Sequence, residues 1–329
     1  MVATVAAFLV APLVSNNDPA TADSAARTVA ATTHDVPELS RDDSRPSVQP
    51  TKHDQSPAPK AAPKKPVIRP TTIGVASFNE WGELPMSELL SDAHRITSLP
   101  TVDIIGWQEG IRSHPVFAQL EQRGWVTRQL PGHARELAVS WRKKDFALVS
   151  ASYRLVAHGV DHAYGRYPFG NRYVQRVTLR QRASGQLITV LNTHLPQKIE
   201  DLDHPGHWLQ TSNAARARFQ LARMIRDWNA APGRWVVGTG DYNFDARADR
   251  RENPKGGPRR TLGPVAVSSY GALGFDGIGP SHPPTGRYVD YVLAARPDLH
   301  AGHLGFVGQR VIGGLYSDHN ALLARIRLS

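Results

Sequence analysis

From residue 71 onwards, apolar positions gather into short runs separated by turn residues, a spacing that predicts many strands and few helices. Ile73 to Phe78 predicts a strand ending at Asn79, and Val102 to Trp107 a second ending at Gln108-Glu109. Met86 to Ile96 has helical spacing, and Pro115 to Gln122 fits a short helix. Leu137 to Trp141 and Ala147 to Leu155 look like paired strands joined by the charged turn Arg142-Lys143-Lys144-Asp145. Tyr173 to Arg180 and Gln186 to Asn192 predict a hairpin around Ala183-Ser184-Gly185. Ser212 to Trp228 is the clearest helix. Its residues Ala215, Phe219, Ala222, Ile225 and Trp228 recur three or four apart, and Pro232-Gly233 ends it. A strand at 234–239, a long basic loop, a strand at Tyr288 to Ala294 and a last strand at Ala321 to Leu328 follow. The pattern is that of one mixed, largely antiparallel α/β domain over residues 71–329, without internal repeats.

The first seventy residues differ. Val2 to Val14 is apolar, too short for a spanning helix of roughly 20 residues, and small residues follow it at Ala20–Ala22 and Ser24–Ala26. Residues 1–26 therefore read as a signal peptide or, with a longer upstream start, a membrane anchor, although a basic n-region is missing. Residues 27–70 read as a Pro/Ala/Lys-rich linker, with six prolines between Pro50 and Pro70. This start implies a secreted or cell-envelope protein that associates with a membrane or cell surface, if at all, through its N-terminus.

Composition narrows the chemistry. The absence of cysteine excludes disulfides, thiolate metal sites and a cysteine nucleophile. Of the net charge of +10, residues 1–70 hold eight Lys/Arg against seven Asp/Glu, leaving +9 on the rest of the chain. A basic folded domain favours a polyanionic or phosphate-bearing partner.

The most informative stretch is Val236-Val-Gly-Thr-Gly-Asp-Tyr-Asn243. An extended backbone would point Asp241 and Asn243 to the same side, with Gly238 and Gly240 allowing a tight exit from the strand. A Gly-Asp turn closing a hairpin would explain this stretch equally well. Other apolar runs also end in polar groups: Asn79, Gln108-Glu109, Asn192-Thr193-His194 and Ser317-Asp318-His319, while Asp290 is an acid inside an otherwise apolar strand. Singly, each has a structural explanation: a surface Glu, a structural His, an Asp closing a turn. Asp290 is harder to dismiss, because a buried acid needs a partner.

As an ordered set, these pieces resemble the endonuclease/exonuclease/phosphatase family, the superfamily of deoxyribonuclease I, abasic-site endonucleases, neutral sphingomyelinases and inositol-polyphosphate phosphatases. The resemblance rests on Ser77-Phe78-Asn79, Gln108-Glu109, Asn192-Thr193-His194-Leu195, Gly240-Asp241-Tyr242-Asn243, Asp290-Tyr291 and Ser317-Asp318-His319, and spans residues 72–328. It departs from the family in Glu80-Trp81 after Asn79, where an aliphatic residue is commoner, and in Tyr242 for the more frequent Phe. Arg135-Glu136 lies where some nuclease relatives place a further carboxylate, and Arg172 about where some place a phosphate-contacting arginine.

The resemblance implies a four-layer α-β-β-α sandwich of two mixed, mostly antiparallel sheets, with the site where loops converge at one end. It implies metal-dependent phosphoester hydrolysis by a monomer. Glu109 would ligate Mg²⁺ or Mn²⁺, which prefer oxygen donors, with Asn79 and Asp318 completing or orienting that shell. Asp241 would orient or deprotonate the attacking water and Asn243 hold a phosphoryl oxygen. His194 and His319 would donate hydrogen bonds to the phosphate, Asp290 would fix the His319 ring, and Arg172 would contact substrate. For the substrate, the basic charge after Asp241 (Arg247, Arg250, Arg251, Lys255, Arg259, Arg260) leans towards nucleic acid. The aromatic and basic segment Tyr164 to Tyr173 suits stacking on bases or a lipid interface. A phospholipid or inositol-phosphate phosphoesterase and an inactive binding relative are the alternatives.

Overall fold

The computed structural model describes residues 70–159 and 170–329. The expected leader and linker, and most of the Tyr164 to Tyr173 segment, lie outside the described residues. Among the described residues, no helix is long and apolar enough to cross a membrane.

Among the described residues, twelve strands form two six-stranded sheets. The first contains β1 (Thr71–Asn79), β2 (Ile104–Gln108), β3 (Trp125–Gln129), β4 (Ala138–Arg142), β11 (Leu304–Ile312) and β12 (Ala321–Leu328), in the order β11-β12-β1-β2-β4-β3. The second contains β5 (Phe146–Ala157), β6 (Arg172–Gln181), β7 (Leu187–His194), β8 (Trp235–Asp241), β9 (Ala266–Ser268) and β10 (Asp290–Ala295), in the order β5-β6-β7-β8-β10-β9. Each sheet has one parallel pair, β1 with β2 and β7 with β8, and is otherwise antiparallel.

Strand alternation builds the layers. Ile104, Val139 and Trp141 face the core between the sheets. Ile105, Trp107 and Ala138 face outward, beneath α1 (Met86–Ser98) and α2 (His114–Gln122), which contribute Leu89, Ile96, Phe117 and Leu120. On the other side α3 (Ser212–Asn229) covers the second sheet with Leu221, Met224 and Trp228, each worth about 1.5–3 kcal/mol for an apolar side chain fully buried. Its first turn is capped by the Thr211 side chain, which accepts the Ala214 N–H. The result is the expected four-layer sandwich.

Buried polar contacts join the two sheets close to one end. Asn192 donates to the carbonyls of Trp107 and Ala138 at 2.8 and 3.0 Å, and its oxygen accepts from Gln108 at 2.7 Å and from Thr239 at 3.0 Å. Ser77 Oγ accepts the Gly240 N–H at 2.9 Å. These fix one sheet's strand ends against the other's, as buried polar networks do, with Gln108 Oε1 alone of these side-chain atoms left without a partner.

Several expectations are corrected. The strands on either side of Arg142–Asp145 do not pair: β4 pairs with β2 and β3, whereas β5 pairs with β6 in the other sheet. The charged turn is a crossover between layers. The α3 stripe is rotated: Ala215, Phe219 and Ala222 are exposed, and Ala214, Ala217, Leu221 and Met224 are buried with the polar Gln220 and Asp227. Arg154 from β5 pairs with Asp227, so a charged residue can occupy the inner face. The basic loop after Asp241 contains two short helices, α4 (Ala246–Glu252) and α5 (Pro258–Leu262), and lines a cavity of about 530 Å³ with none of the expected catalytic residues in its wall. The short helices α6 (Ser269–Leu273) and α7 (Arg296–His300) complete the chain.

Candidate active site

Strand register does the gathering. The parallel pair β1–β2 sets Asn79 opposite Gln108, so Glu109 follows directly at the same edge. The parallel pair β7–β8 sets His194 opposite Asp241, and the antiparallel pair β8–β10 sets Asp290 opposite Asp241. Asp318 and His319 arrive on the loop before β12. That loop is anchored by Asp92 of α1, which accepts the N–H groups of Tyr316 and Ser317 at 2.9 Å, and by Ser317 Oγ, which donates to the Asn79 carbonyl.

Asp241 is the hub. Its Oδ2 accepts from Asn79 Nδ2 at 3.0 Å and Asn243 Nδ2 at 3.0 Å, with His194 Nε2 at 3.4 Å and His319 Nε2 at 3.9 Å. Asn79 Nδ2 also donates to Glu109 Oε1 at 3.1 Å, and its Oδ1 accepts the Trp81 N–H. Asn79 is thus placed to orient two carboxylates through its NH₂ group. Gly82 N–H steadies the other Glu109 oxygen at 3.2 Å.

Asn243 reaches Asp241 differently from the extended arrangement expected. The strand ends at Asp241, and Asn243 sits in the left-handed region at φ 48°, with its own N–H on Asp241 Oδ1 at 2.7 Å. The chain does turn after Asp241, but it closes no hairpin: β8 pairs in parallel with β7 and antiparallel with the distant β10. Glu109 is left-handed too, at φ 61°. Two site residues in a conformation that is uncommon outside glycine mark a backbone held by its surroundings. The two glycines serve packing, with the Trp228 ring against Gly238 and the Thr193 carbonyl against Gly240.

The two histidines are each gripped by carboxylates. His319 Nδ1 lies 2.8 Å from Asp290, as expected for a fixed ring. His194 Nδ1 lies 3.3 Å from Glu136. Burial opposes a charged His194, but its hydrogen bonds to Asp241 and Glu136 prevail and raise it to about 10. Burial likewise opposes a charged His319, and Asp290 then Asp241 raise it to about 9. Burial works against an ionised Asp241, yet its bond to His194 and the charge of His319 hold it below the ordinary carboxylate range. Both rings are therefore cationic donors near neutral pH.

Arg172 is buried at the back of the site, in an ion pair with Glu136. Glu136, placed in sequence but given no role, proves to be the partner of both Arg172 and His194. His282 was missed altogether. It lies beside Asp318, with Nε2 3.5 Å from Oδ2, and packs edge-on against His319 at 4.8 Å between ring centres. Nothing in its local sequence, Ser-His-Pro-Pro, distinguishes it from a surface loop residue.

The oxygen-rich set suits a hard divalent ion. The carboxylates of Glu109, Asp241 and Asp318 belong to one connected cluster, and the Glu109 side chain is one-third exposed and open to solvent.

Among solved structures, this chain is similar to an endonuclease/exonuclease/phosphatase from Bacteroides vulgatus, at 17% identity over 79% of this chain and 100% of that one, with a TM-score of 0.57. It is similar to D. rerio TDP2 complexed with single strand DNA product, at 13% identity over 78% and 99% of the two chains, TM-score 0.58. The chain has the endonuclease/exonuclease/phosphatase fold. A mannosyl-6-phosphatase from Bacteroides thetaiotaomicron VPI-5482 carries the same fold at 14% identity over 77% and 99% of the chains, TM-score 0.54. No family model and no curated protein matches the sequence. At such identities the likeness establishes the endonuclease/exonuclease/phosphatase fold, and the chemistry rests on the residues above.

Proposed function

We propose that the protein is a divalent-metal-dependent phosphodiesterase that cleaves nucleic acid. The observation that carries this reading is the geometry at Asp241, a buried carboxylate on which two imidazoles and two side-chain amides converge.

Its chemistry follows from the donors. A water between Asp241 and a bound phosphodiester would be oriented by the carboxylate, which removes its proton as it attacks. His194 Nε2 and His319 Nε2 offer N–H groups to the phosphoryl oxygens, whose negative charge grows during attack, where preorganised donors act most strongly, while Asn243 Nδ2, with its hydrogens on Asp241 Oδ2 and the Leu195 carbonyl, holds the Asp241 carboxylate in place. Glu109, with Asp318, would hold the Mg²⁺ or Mn²⁺ ion, and Asn79 orients Glu109. When bound, such an ion neutralises charge on the phosphoryl and leaving oxygens.

Nucleic acid is favoured by the net +9 of the domain and by a cleft of about 910 Å³ beginning at Ile111, two residues beyond Glu109, and walled by Arg112, Arg128 and Arg135. The similarity in fold to TDP2 complexed with single strand DNA product supports this reading. The apolar segment at residues 2–14 supports export as the setting.

The experiment is a substrate panel of plasmid DNA, single-stranded DNA, RNA, sphingomyelin vesicles and inositol phosphates, with Mg²⁺ and with chelator. Nucleic acid should be cut with Mg²⁺ alone, and Asp241→Asn or His319→Gln should lower turnover by about 10²–10⁴-fold with circular dichroism unchanged. Hydrolysis of lipid or inositol phosphate without cleavage of nucleic acid would overturn the substrate assignment. Full turnover by the double variant would overturn the site.

A further inference from the structure

The phosphodiesterase reading leaves His282 without a role, yet its ring is held as carefully as that of His319. His282 Nδ1 lies 2.6 Å from Thr285 Oγ1, and its Nε2 faces Asp318 Oδ2 at 3.5 Å. His319 Nδ1 is taken by Asp290 at 2.8 Å, and its Nε2 faces Asp318 Oδ1 at 4.0 Å. Two imidazoles thus have one nitrogen fixed by an oxygen behind them and the other facing Asp318, with His319 Nε2 shared between Asp318 and Asp241 at 3.9 Å. A metal-ligating histidine is built this way: the outer partner sets the tautomer and the ring angle. The three ligand atoms lie within 4.8 Å of one another. Around a tetrahedral ion with bonds of about 2.1 Å, ligand atoms sit roughly 3.4 Å apart, so side-chain movements of about 1 Å close the site. The Asp318 side chain is about one-third exposed and that of His282 partly exposed, which leaves an entry path and an open coordination position.

We propose that His282, Asp318 and His319 form a second cation site, selective for Zn²⁺ and similar borderline ions. Two imidazoles and one carboxylate favour such ions over Mg²⁺, which prefers all-oxygen surroundings and retains its waters. Binding exchanges the Nε2 proton of His319 for a metal–nitrogen bond and releases that proton to solvent, while the Nδ1 side stays on Asp290. The His319 N–H offered to the phosphate is then gone. Zn²⁺ at this site therefore inhibits Mg²⁺-supported hydrolysis, an effect that rests on the phosphodiesterase reading, whereas binding itself does not.

The test is equilibrium dialysis of the metal-stripped full chain against Zn²⁺, with metal quantified per chain. One Zn²⁺ should bind. His282→Ala should weaken it by about tenfold or more, and Glu109→Gln should change it less than about twofold while abolishing Mg²⁺-supported turnover. Co²⁺ should give a visible d–d band that His282→Gln removes. In hydrolysis assays His282→Ala should require about tenfold more Zn²⁺ for half-inhibition. Absence of Zn²⁺ binding, equal binding by His282→Ala, or its loss in Glu109→Gln would each overturn the site. If no phosphoester is hydrolysed but Zn²⁺ binds through His282, the functional reading falls and the site stands.

Discussion

Arg172 holds both carboxylate oxygens of Glu136 with a single guanidinium nitrogen, at 2.6 and 2.7 Å. Both partners are buried. Burial alone would push Glu136 up, but the Arg172 charge and the His194 ring bring it down to about 2. Arg172 is therefore tied into the site from behind, through Glu136 to His194. Removing one member of a buried pair strands the other charge, at a cost of about 3–5 kcal/mol. Arg172→Met should lower the unfolding free energy by that amount, read as a lower urea midpoint at unchanged slope, and Glu136→Gln should lower kcat more than it changes KM because His194 loses its anchor. An Arg172→Met protein of wild-type stability with KM alone raised would instead make Arg172 a direct substrate contact.

Arg287 secures the turn that presents Asn243. It donates to the Asn243 carbonyl at 2.8 Å and pairs with Glu200, which in turn accepts the N–H groups of Gly206 and Asp245. This brace holds Asn243 at positive φ. Both bonds come from Nη2, whose two N–H directions are fixed by the planar guanidinium, whereas a lysine ammonium is a freely rotating point charge that does not hold both acceptors in place. Arg287→Lys should reduce kcat by about tenfold with KM nearly unchanged, and kcat should not recover at higher substrate. A fall in KM-dependent binding alone would show that the brace shapes the substrate surface instead.

The site was legible because register, which sequence implies only weakly, happens to align residues at the ends of apolar runs. Asn79, His194 and Asp241 end apolar runs and His319 stands on the loop before one, and they stand out only as an ordered set. Glu136 and His282 do not: each sits in a polar loop stretch, and only the third dimension brings them to His194 and Asp318. The crossover after β4 was misread for a related reason. A charged turn between two apolar runs looks alike whether the chain folds back or changes sheet, and the decision is made by burial of Trp141 and Phe146 in one inter-sheet core. The inner face of α3 was hidden by Gln220, which donates to the Thr193 hydroxyl and the His194 carbonyl. A helix that supports a site buries polar groups that periodicity counts as surface.

A close approach of the two sheets at Gly106 gives a stability test. A Cβ on Gly106 would overlap the Thr239 hydroxyl and lie 2.6 Å from Thr239 Cβ and 2.9 Å from Asn192 Oδ1. The backbone here is strand, so the glycine is required for space. Gly106→Ala should destabilise by about 1–3 kcal/mol or more and disturb the Asn192 network that aligns the strand ends. In a double-mutant cycle with Thr239→Gly the two changes should couple favourably, by about 0.5 kcal/mol or more. Additive effects in urea unfolding would mean that the sheets move apart without cost.

Asp249 supplies the pH dependence. It is buried in α4, with one carboxylate oxygen accepting the Arg259 N–H at 2.7 Å and the other without a hydrogen-bond partner. Burial raises its pKa to about 7, against the smaller opposing effects of Arg259. The folded value lies above the unfolded one, so the folded protein binds the extra proton. The associated stability is complete below the ordinary Asp range near 3.8 and is lost as pH rises through about 7. Each unit is worth about 1.4 kcal/mol. Asp249→Asn mimics the protonated group and keeps an oxygen for Arg259. Relative to wild type, it should gain on the order of 2 kcal/mol between pH 5 and pH 8.5 in urea unfolding, most of it by pH 7.5. A stability difference that stays flat across this range would show that the carboxylate ionises in the fold without penalty, through water reaching its open oxygen.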